Sequence, residues 1–295
     1  MNRILKATAH NGAIRIYICD IKELCEKARK IHDLYPISLA ALGRVMGVNA
    51  IMASMLKGEG ENITTTINGG GPIGTIMVNA KSNGDIKGFV GDNKIYLKYN
   101  DSEKLAVGVA VGTNGYLKVT KDLELKDNFT SQVALQNGEI GQDFAYYFAL
   151  SEQIPSLVSV GVLVDTDYSC KAAGAMIVEL MPGHEESDIV FLEDVQTKLR
   201  PISDLLNSGN SLEDILHMYF PDVQILEETT CDYVCDCNRD RFISGLFTLP
   251  LDELKELAHE DIEVKCEFCN KTYRFEKAEV EDWIKYVEGQ KSKLS

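Results

Sequence analysis

The sequence predicts an α+β fold. An antiparallel, β-rich N-terminal domain with packed helices is expected over residues 1–183, a helical linker over 184–230 and a small C-terminal cysteine module over 231–295. Three observations lead there. Short β-branched runs alternate with hairpin signals through the first part of the chain. After Pro182-Gly183 the strand signal almost vanishes and acidic residues accumulate. Near the end, cysteines gather in two tight pairs. With 295 residues, 45% of them hydrophobic, the chain can build one large domain or two modest ones around a proper core.

Residues 13–19 (AIRIYIC) alternate enough to predict a strand. Asp20 and Glu23 form an Asp-x-x-Glu capping pattern, so a helix is expected to about Leu34, broken by Pro36. Ser38 then caps a second expected helix, Leu39 to Leu56. This helix is apolar on most sides, which marks it as buried. Its methionines also offer an adaptable binding surface, although core packing is the plainer reading. Residues 61–67 read as a strand. In the run that follows, Gly69, Gly71 and Gly74 fit G-x-G-x-x-G. Dinucleotide binding would need a helix next, but Thr75–Ala80 reads as a strand, and no P-loop lysine follows. The glycines are expected to shape the start of that strand instead.

A hairpin turn at 82–85 leads to a strand over 86–90. Further strands are expected at Val107–Val111 and Tyr116–Thr120, around a Thr113-Asn114-Gly115 turn, and at Phe129–Leu135. A helix runs from Asn137-Gly138-Glu139 to about Ser151. Ser156–Val164 and Ala175–Leu180 are strongly β. In the linker, short helices are expected at 187–199, 202–206 and 211–219, the last with a Ser-x-x-Asp start at Ser211. Such short acidic helices need something to dock on. In the last module, helices are expected at Arg239–Phe247, Leu251–Ala258 and Glu276–Val287. Strands at Ile262–Lys265 and Lys271–Phe275 enclose a tight knuckle at 267–270.

A formal net charge of −15 argues against a nucleic-acid partner and an anionic membrane surface. The N-terminal residues lack the apolar region of a signal peptide, and no run approaches the ~18 apolar residues of a membrane span. A cytoplasmic, reducing location is therefore expected, where eight cysteines are not a disulfide framework.

Cys235, Cys237, Cys266 and Cys269 form Cys-x-Cys and Cys-x-x-Cys pairs. Four thiolates in two close pairs suit a tetrahedral Zn²⁺, and the same sulfurs can close as two disulfides. Spacing alone leaves open a structural metal staple or a redox switch. Cys231 is close in sequence but surplus to a four-ligand site, and His259 is a weaker rival ligand. Cys19, Cys25 and Cys170 read as small buried hydrophobes. None of the five histidines sits in a nucleophile motif. Asp165 and Asp167 read as a solvated turn. No enzyme active site is expected.

Several motifs together resemble the heat-shock protein 33 family of bacterial redox-regulated holdase chaperones. They are Gly71-Pro72-Ile73-Gly74 before a strand, Gly84-Asp85-Ile86-Lys87-Gly88 and Gly138-Glu139-Ile140 with Asp143-Phe144-Ala145-Tyr146-Tyr147. Ser151-Glu152-Gln153-Ile154-Pro155-Ser156, Leu180-Met181-Pro182-Gly183 and the cysteine pairs followed by Arg239 and Tyr273 complete the set. The chain departs from the pattern at Asn238, where serine is common, and in carrying Cys231. The resemblance implies a reduced, zinc-bound, inactive form held by Cys235, Cys237, Cys266 and Cys269. It implies that oxidation joins Cys235 with Cys237 and Cys266 with Cys269, releases zinc and unfolds the linker and last module. The active form would be a homodimer that holds unfolding client proteins without ATP. Two other readings fit the cysteines. One is a constitutive interaction protein with a purely structural zinc module. The other is a thiol–disulfide oxidoreductase using Cys266 and Cys269, which lacks the βαβ context such enzymes need.

Overall fold

The computed structural model describes residues 1–97 and 105–294. The chain divides into two compact units, Met1–Val234 and Cys235–Ser295. In chain order the first unit begins with β1 (Arg3–Ala9), β2 (Ile14–Asp20), α1 (Lys22–His32), α2 (Pro36–Ser54), β3 (Asn62–Asn68), β4 (Ile76–Lys81) and β5 (Asp85–Val90). It continues with α3 (Val107–Val111), β6 (Tyr116–Asp122), β7 (Phe129–Ala134), α4 (Gly141–Tyr147), a π-helical turn (Phe148–Glu152), β8 (Ser156–Val164) and β9 (Cys170–Leu180). Then come α5 (Glu186–Lys198), α6 (Ile202–Asn207), α7 (Leu212–Tyr219), β10 (Gln224–Thr230) and β11 (Asp232–Tyr233). The second unit holds α8 (Arg239–Leu246), α9 (Leu251–Leu257), β12 (Ile262–Lys265), β13 (Thr272–Phe275) and α10 (Lys277–Leu294).

The expected α+β architecture on antiparallel sheet is what the chain adopts. One sheet has the order β10-β1-β2-β9-β8 and the other β11-β5-β4-β3-β6-β7. All their pairings are antiparallel except β11 on β5. Helix α2 packs against β2, β8 and β9 of the first sheet and β3, β4 and β5 of the second. That position explains why it is apolar all round: it has no solvent face to make polar. It is in fact long and apolar enough to cross a membrane, contrary to the expectation that no run comes close. However, 89% of that stretch is buried inside the fold.

On its other face the first sheet presents Leu5, Ala7, Ile14, Ile16, Met176 and Val178. The residues expected to form a linker cover this face, with Val195, Ile202, Leu205, Ile215, Leu216 and Phe220 in the same cluster. The marginal helices α5–α7 thus persist by docking.

Several local expectations are corrected. Strand β1 was not foreseen; it is held between β2 and β10. Strand β10 lies in a stretch read as lacking strands, and it forms because β1 offers it a ladder from Arg3↔Thr230 to Thr8↔Gln224. Val107–Val111 is a helical turn, α3, despite its β-branched composition. Its carbonyls face the glycine run instead of a neighbouring strand: Gly71 N donates to Val111 O at 3.0 Å and Ile73 N to Ala110 O at 3.0 Å. A Cβ on Gly69 would lie 2.2 Å from Gly112 O just after this turn, and one on Gly71 2.3 Å from Ala110 O within it. The glycines therefore serve close backbone approach, and a strand follows them as expected. Helix α2 starts at Pro36, earlier than expected. Pro36 begins the helix because an N1 proline has no N–H to lose. Ser38 lies inside α2 and its hydroxyl donates to Asp92 O. Asp20 accepts from Lys22 N without completing a capping box.

Candidate metal centre

The second unit encloses a small core of Leu246, Leu254, Tyr273, Phe275, Val280 and Ile284, with Trp283 tilted against Phe247 and edge-on to Phe275. Its hairpin pairs Ile262 with Phe275 and Lys265 with Thr272. The expected knuckle follows Lys265: Cys266 N donates to Lys271 O, while Cys269 N and Asn270 N donate to Cys266 O. Asn270 takes a left-handed conformation, φ 60°, which asparagine tolerates better than most residues. This turn brings Cys266 and Cys269 to one side.

The other pair is aimed by helix α8. Asn238 accepts from Arg241 N at 2.9 Å and so caps α8 directly after Cys237. Asparagine caps a helix as well as the serine common at this position would. Arg239 fastens the start of α8 to Glu279 at 2.7 Å and lies over the Phe275 ring. The Tyr273 hydroxyl donates to Cys237 O at 2.9 Å and lies 3.2 Å from Cys237 Sγ. The sequence marked Tyr273 only as part of a motif; its contact with the thiol comes from the hairpin register, which places it opposite Val264.

The result is one site. The sulfurs of Cys235, Cys237, Cys266 and Cys269 all lie within 4.8 Å of one another. Cys235 and Cys266 approach to 3.8 Å, and Cys237 and Cys269 to 3.3 Å. Sulfurs bound tetrahedrally at about 2.3 Å from a zinc ion would be about 3.8 Å apart. Four soft donors at this separation fit such an ion and could hold it. Burial pushes the Cys235 thiol up, reinforced by its sulfur neighbours. At Cys237 burial also opposes ionisation, but hydrogen bonds from Tyr273 and the neighbouring thiols outweigh it and bring the thiol to about 7.

The remaining sequence candidates lie elsewhere. Cys231 is buried in the core of the first unit, its carbonyl accepting from Asn2. Burial pushes its thiol up to about 12. His259 is exposed after α9 and outside the sulfur group. Cys19, Cys25 and Cys170 are buried in the first unit. Asp165 and Asp167 sit in the β8–β9 turn, where Asp167 accepts from Ser169.

The family model described as "Hsp33 protein" matches residues 2–276. A 33 kDa chaperonin from Geobacillus kaustophilus is 43% identical over 282 residues, covering 94% of this chain and 96% of that protein. One from Alkaliphilus metalliredigens is 42% identical over 284 residues, covering 95% and 97%. The crystal structure of the 33 kDa chaperonin (heat shock protein 33 homolog) from Thermotoga maritima superposes with a TM-score of 0.89. It is 34% identical and covers 98% of this chain and 99% of that one.

Proposed function

This chain belongs to the Hsp33 family of chaperones, and from that membership we propose that it is a redox-regulated, ATP-independent holdase rather than an enzyme. The observation that carries the reading is the convergence of four thiols on one point in a unit with a small core. In the reduced form Cys235, Cys237, Cys266 and Cys269 hold Zn²⁺. A bound zinc ion would keep them as thiolates and add roughly 10–16 kcal/mol to the folding of a small module.

Oxidation then joins Cys235 to Cys237 and Cys266 to Cys269. As each S–S bond forms, the two thiolates of the pair give up two electrons. Hypochlorous acid takes them with one proton from solvent to give chloride and water, and hydrogen peroxide takes them with two protons from solvent to give two waters. A disulfide in either pair removes two of the four donors, so the site can no longer retain its ion. The core of the second unit is too small to stand alone, and its residues unfold. Residues 184–230 follow, which bares the apolar sheet face they cover. That surface, presented by a homodimer in the cytoplasm, holds unfolding client proteins. On this reading residues 1–183 form the core domain, 184–230 the releasable linker and 231–295 the switch. Nucleic acid and membrane are not partners.

The test compares the reduced, zinc-loaded protein with protein treated with hypochlorous acid, or with peroxide and mild heat. Treatment should release zinc, yield the two near-neighbour disulfides on mapping, and start to suppress light scattering by a thermally unfolding client. An oxidised, zinc-free, soluble protein that leaves client aggregation unchanged would overturn the proposal.

A further inference from the structure

The first unit contains a cavity of about 440 Å³ that the thiol site does not involve. That volume is in the range of small-ligand pockets. The end of α2 and the π-helical turn build its apolar part, with Met52, Met55, Phe148 and Ile154. Charges of both signs line the rest. Lys6, Arg15, Lys57 and Lys121 supply cations, and Glu61, Glu152 and Glu179 supply carboxylates. Across the chain acids outnumber bases 45 to 30, so the balance here is locally reversed.

Two of the acids are already satisfied. Glu61 accepts from Lys57 N at 3.0 Å and Gly58 N at 2.9 Å. Glu152 pairs with Lys121 at 2.7 Å and accepts from the Tyr147 hydroxyl. Glu179 differs. It is 5% exposed, and its carboxylate has no hydrogen-bond partner among the described residues. Arg15, its cross-strand neighbour in the β2–β9 ladder, compensates its charge but donates no hydrogen bond to it. Burial pushes the Glu179 carboxyl above its ordinary value, with Arg15 opposing. Glu179 lines the cavity and its oxygens are not sealed in the core, so a donor entering the cavity can reach them. On the cationic side, Lys57 has no ion pair among the described residues, and Lys6 approaches Glu227 only to 3.9 Å.

We infer that this cavity binds a short apolar peptide with free termini. Its α-ammonium, with three donors, sits on Glu179. Its carboxylate lies among Arg15, Lys57 and Lys6. Its side chains rest on Met52, Met55 and Phe148, where flexible thioethers accommodate varied shapes. A ligand of one charge fits less well. A fatty acid leaves Glu179 without a donor, and a simple amine faces four cations. The lining comes wholly from the first unit, so binding does not depend on the redox state of the four thiols.

The test is calorimetric titration of the full-length, reduced, zinc-loaded protein with the tripeptide Leu-Met-Leu. Its N-acetylated and C-amidated forms and dodecanoate are titrated alongside. The free tripeptide should bind one to one, and either blocking group should weaken it at least tenfold. Glu179→Gln should weaken the free peptide at least tenfold yet leave the N-acetylated peptide's affinity unchanged, with zinc content and circular dichroism as in the parent. The blocked peptides probe the unaltered protein, so the result does not rest on the variant folding. No binding of the free tripeptide at millimolar concentration, equal affinity for the blocked forms, or tighter binding of dodecanoate would each overturn the assignment.

Discussion

Glu26 ties helix α1 to strand β9. Its carboxylate takes two bonds from Arg29, at 2.7 and 2.9 Å, and one from Cys170 N at 3.0 Å. The Arg29 hydrogen bond outweighs partial burial and, helped by the Cys170 N–H, lowers its pKa from the ordinary 4.5 to about 2. A depressed acid stabilises the fold at pH above its unfolded value, and that stability is lost as pH falls from about 4.5 towards 2. The full shift corresponds to about 3 kcal/mol; the side chain is 22% exposed, and solvent screening brings this to about 1–2 kcal/mol. Urea denaturation at pH 7 should show Glu26→Gln less stable by that amount, with the gap to the parent closing below pH 4. Asp143 holds backbone together in another way. Fully buried, it accepts from Gln136 N, Asn137 N and Ile140 N, and so holds a turn in which Ile140 has φ 75°. Asp143→Ala strands these donors and should cost about 3 kcal/mol or more in the same assay. The motif containing Asp143 was visible in the sequence. Its role was not, because the donors come from the loop that folds back over it.

At the scale of elements, helix α7 illustrates both what pattern predicts and what it misses. Its Ser211 start is as read: Asp214 N donates to Ser211 Oγ at 3.1 Å, and Ser211 N to Asp214 Oδ2 at 2.9 Å. Ser211→Ala should cost about 1 kcal/mol. Leu212, Ile215, Leu216 and Tyr219 form an apolar stripe at helical spacing, but spacing does not reveal its destination, the far face of the first sheet. Ile215→Ala leaves a cavity there and should cost about 2–4 kcal/mol. Amide exchange in α5–α7 should then accelerate while β3–β6 stays protected; uniform acceleration across the unit would count against independent release of these helices. The β1–β2 turn adds two polar ties to this layer: His10 N donates to Asp222 at 2.7 Å, and its ring meets Asp188 at 2.9 Å. Strand β10 escaped sequence reading because QILEETT is exposed and weakly patterned. It becomes a strand because the edge of β1 needs hydrogen bonds.

At the scale of the whole molecule, the two units should differ in what holds them. Met1–Val234 has two large apolar clusters, whereas Cys235–Ser295 has one small one. Removing metal from the reduced protein with a chelator should therefore melt the second unit and leave the first folded. Residue-resolved NMR would separate the outcomes, and a second unit that keeps its dispersed amide signals without metal would show that its core suffices.

The sequence by itself determined the periodic elements, the buried character of α2 and the four cysteines of the site. Each is written in local spacing: hydrophobic period, turn residues and ligand pairs. Tertiary structure decided the rest. It turned Val107–Val111 into a helical turn against the glycines, made strands of β1 and β10, laid α5–α7 on the sheet and drew four sulfurs within 4.8 Å of one another. Those outcomes depend on partners distant in the chain, whose hydrogen bonds and apolar contacts outweigh local preference by amounts that no short window of sequence contains.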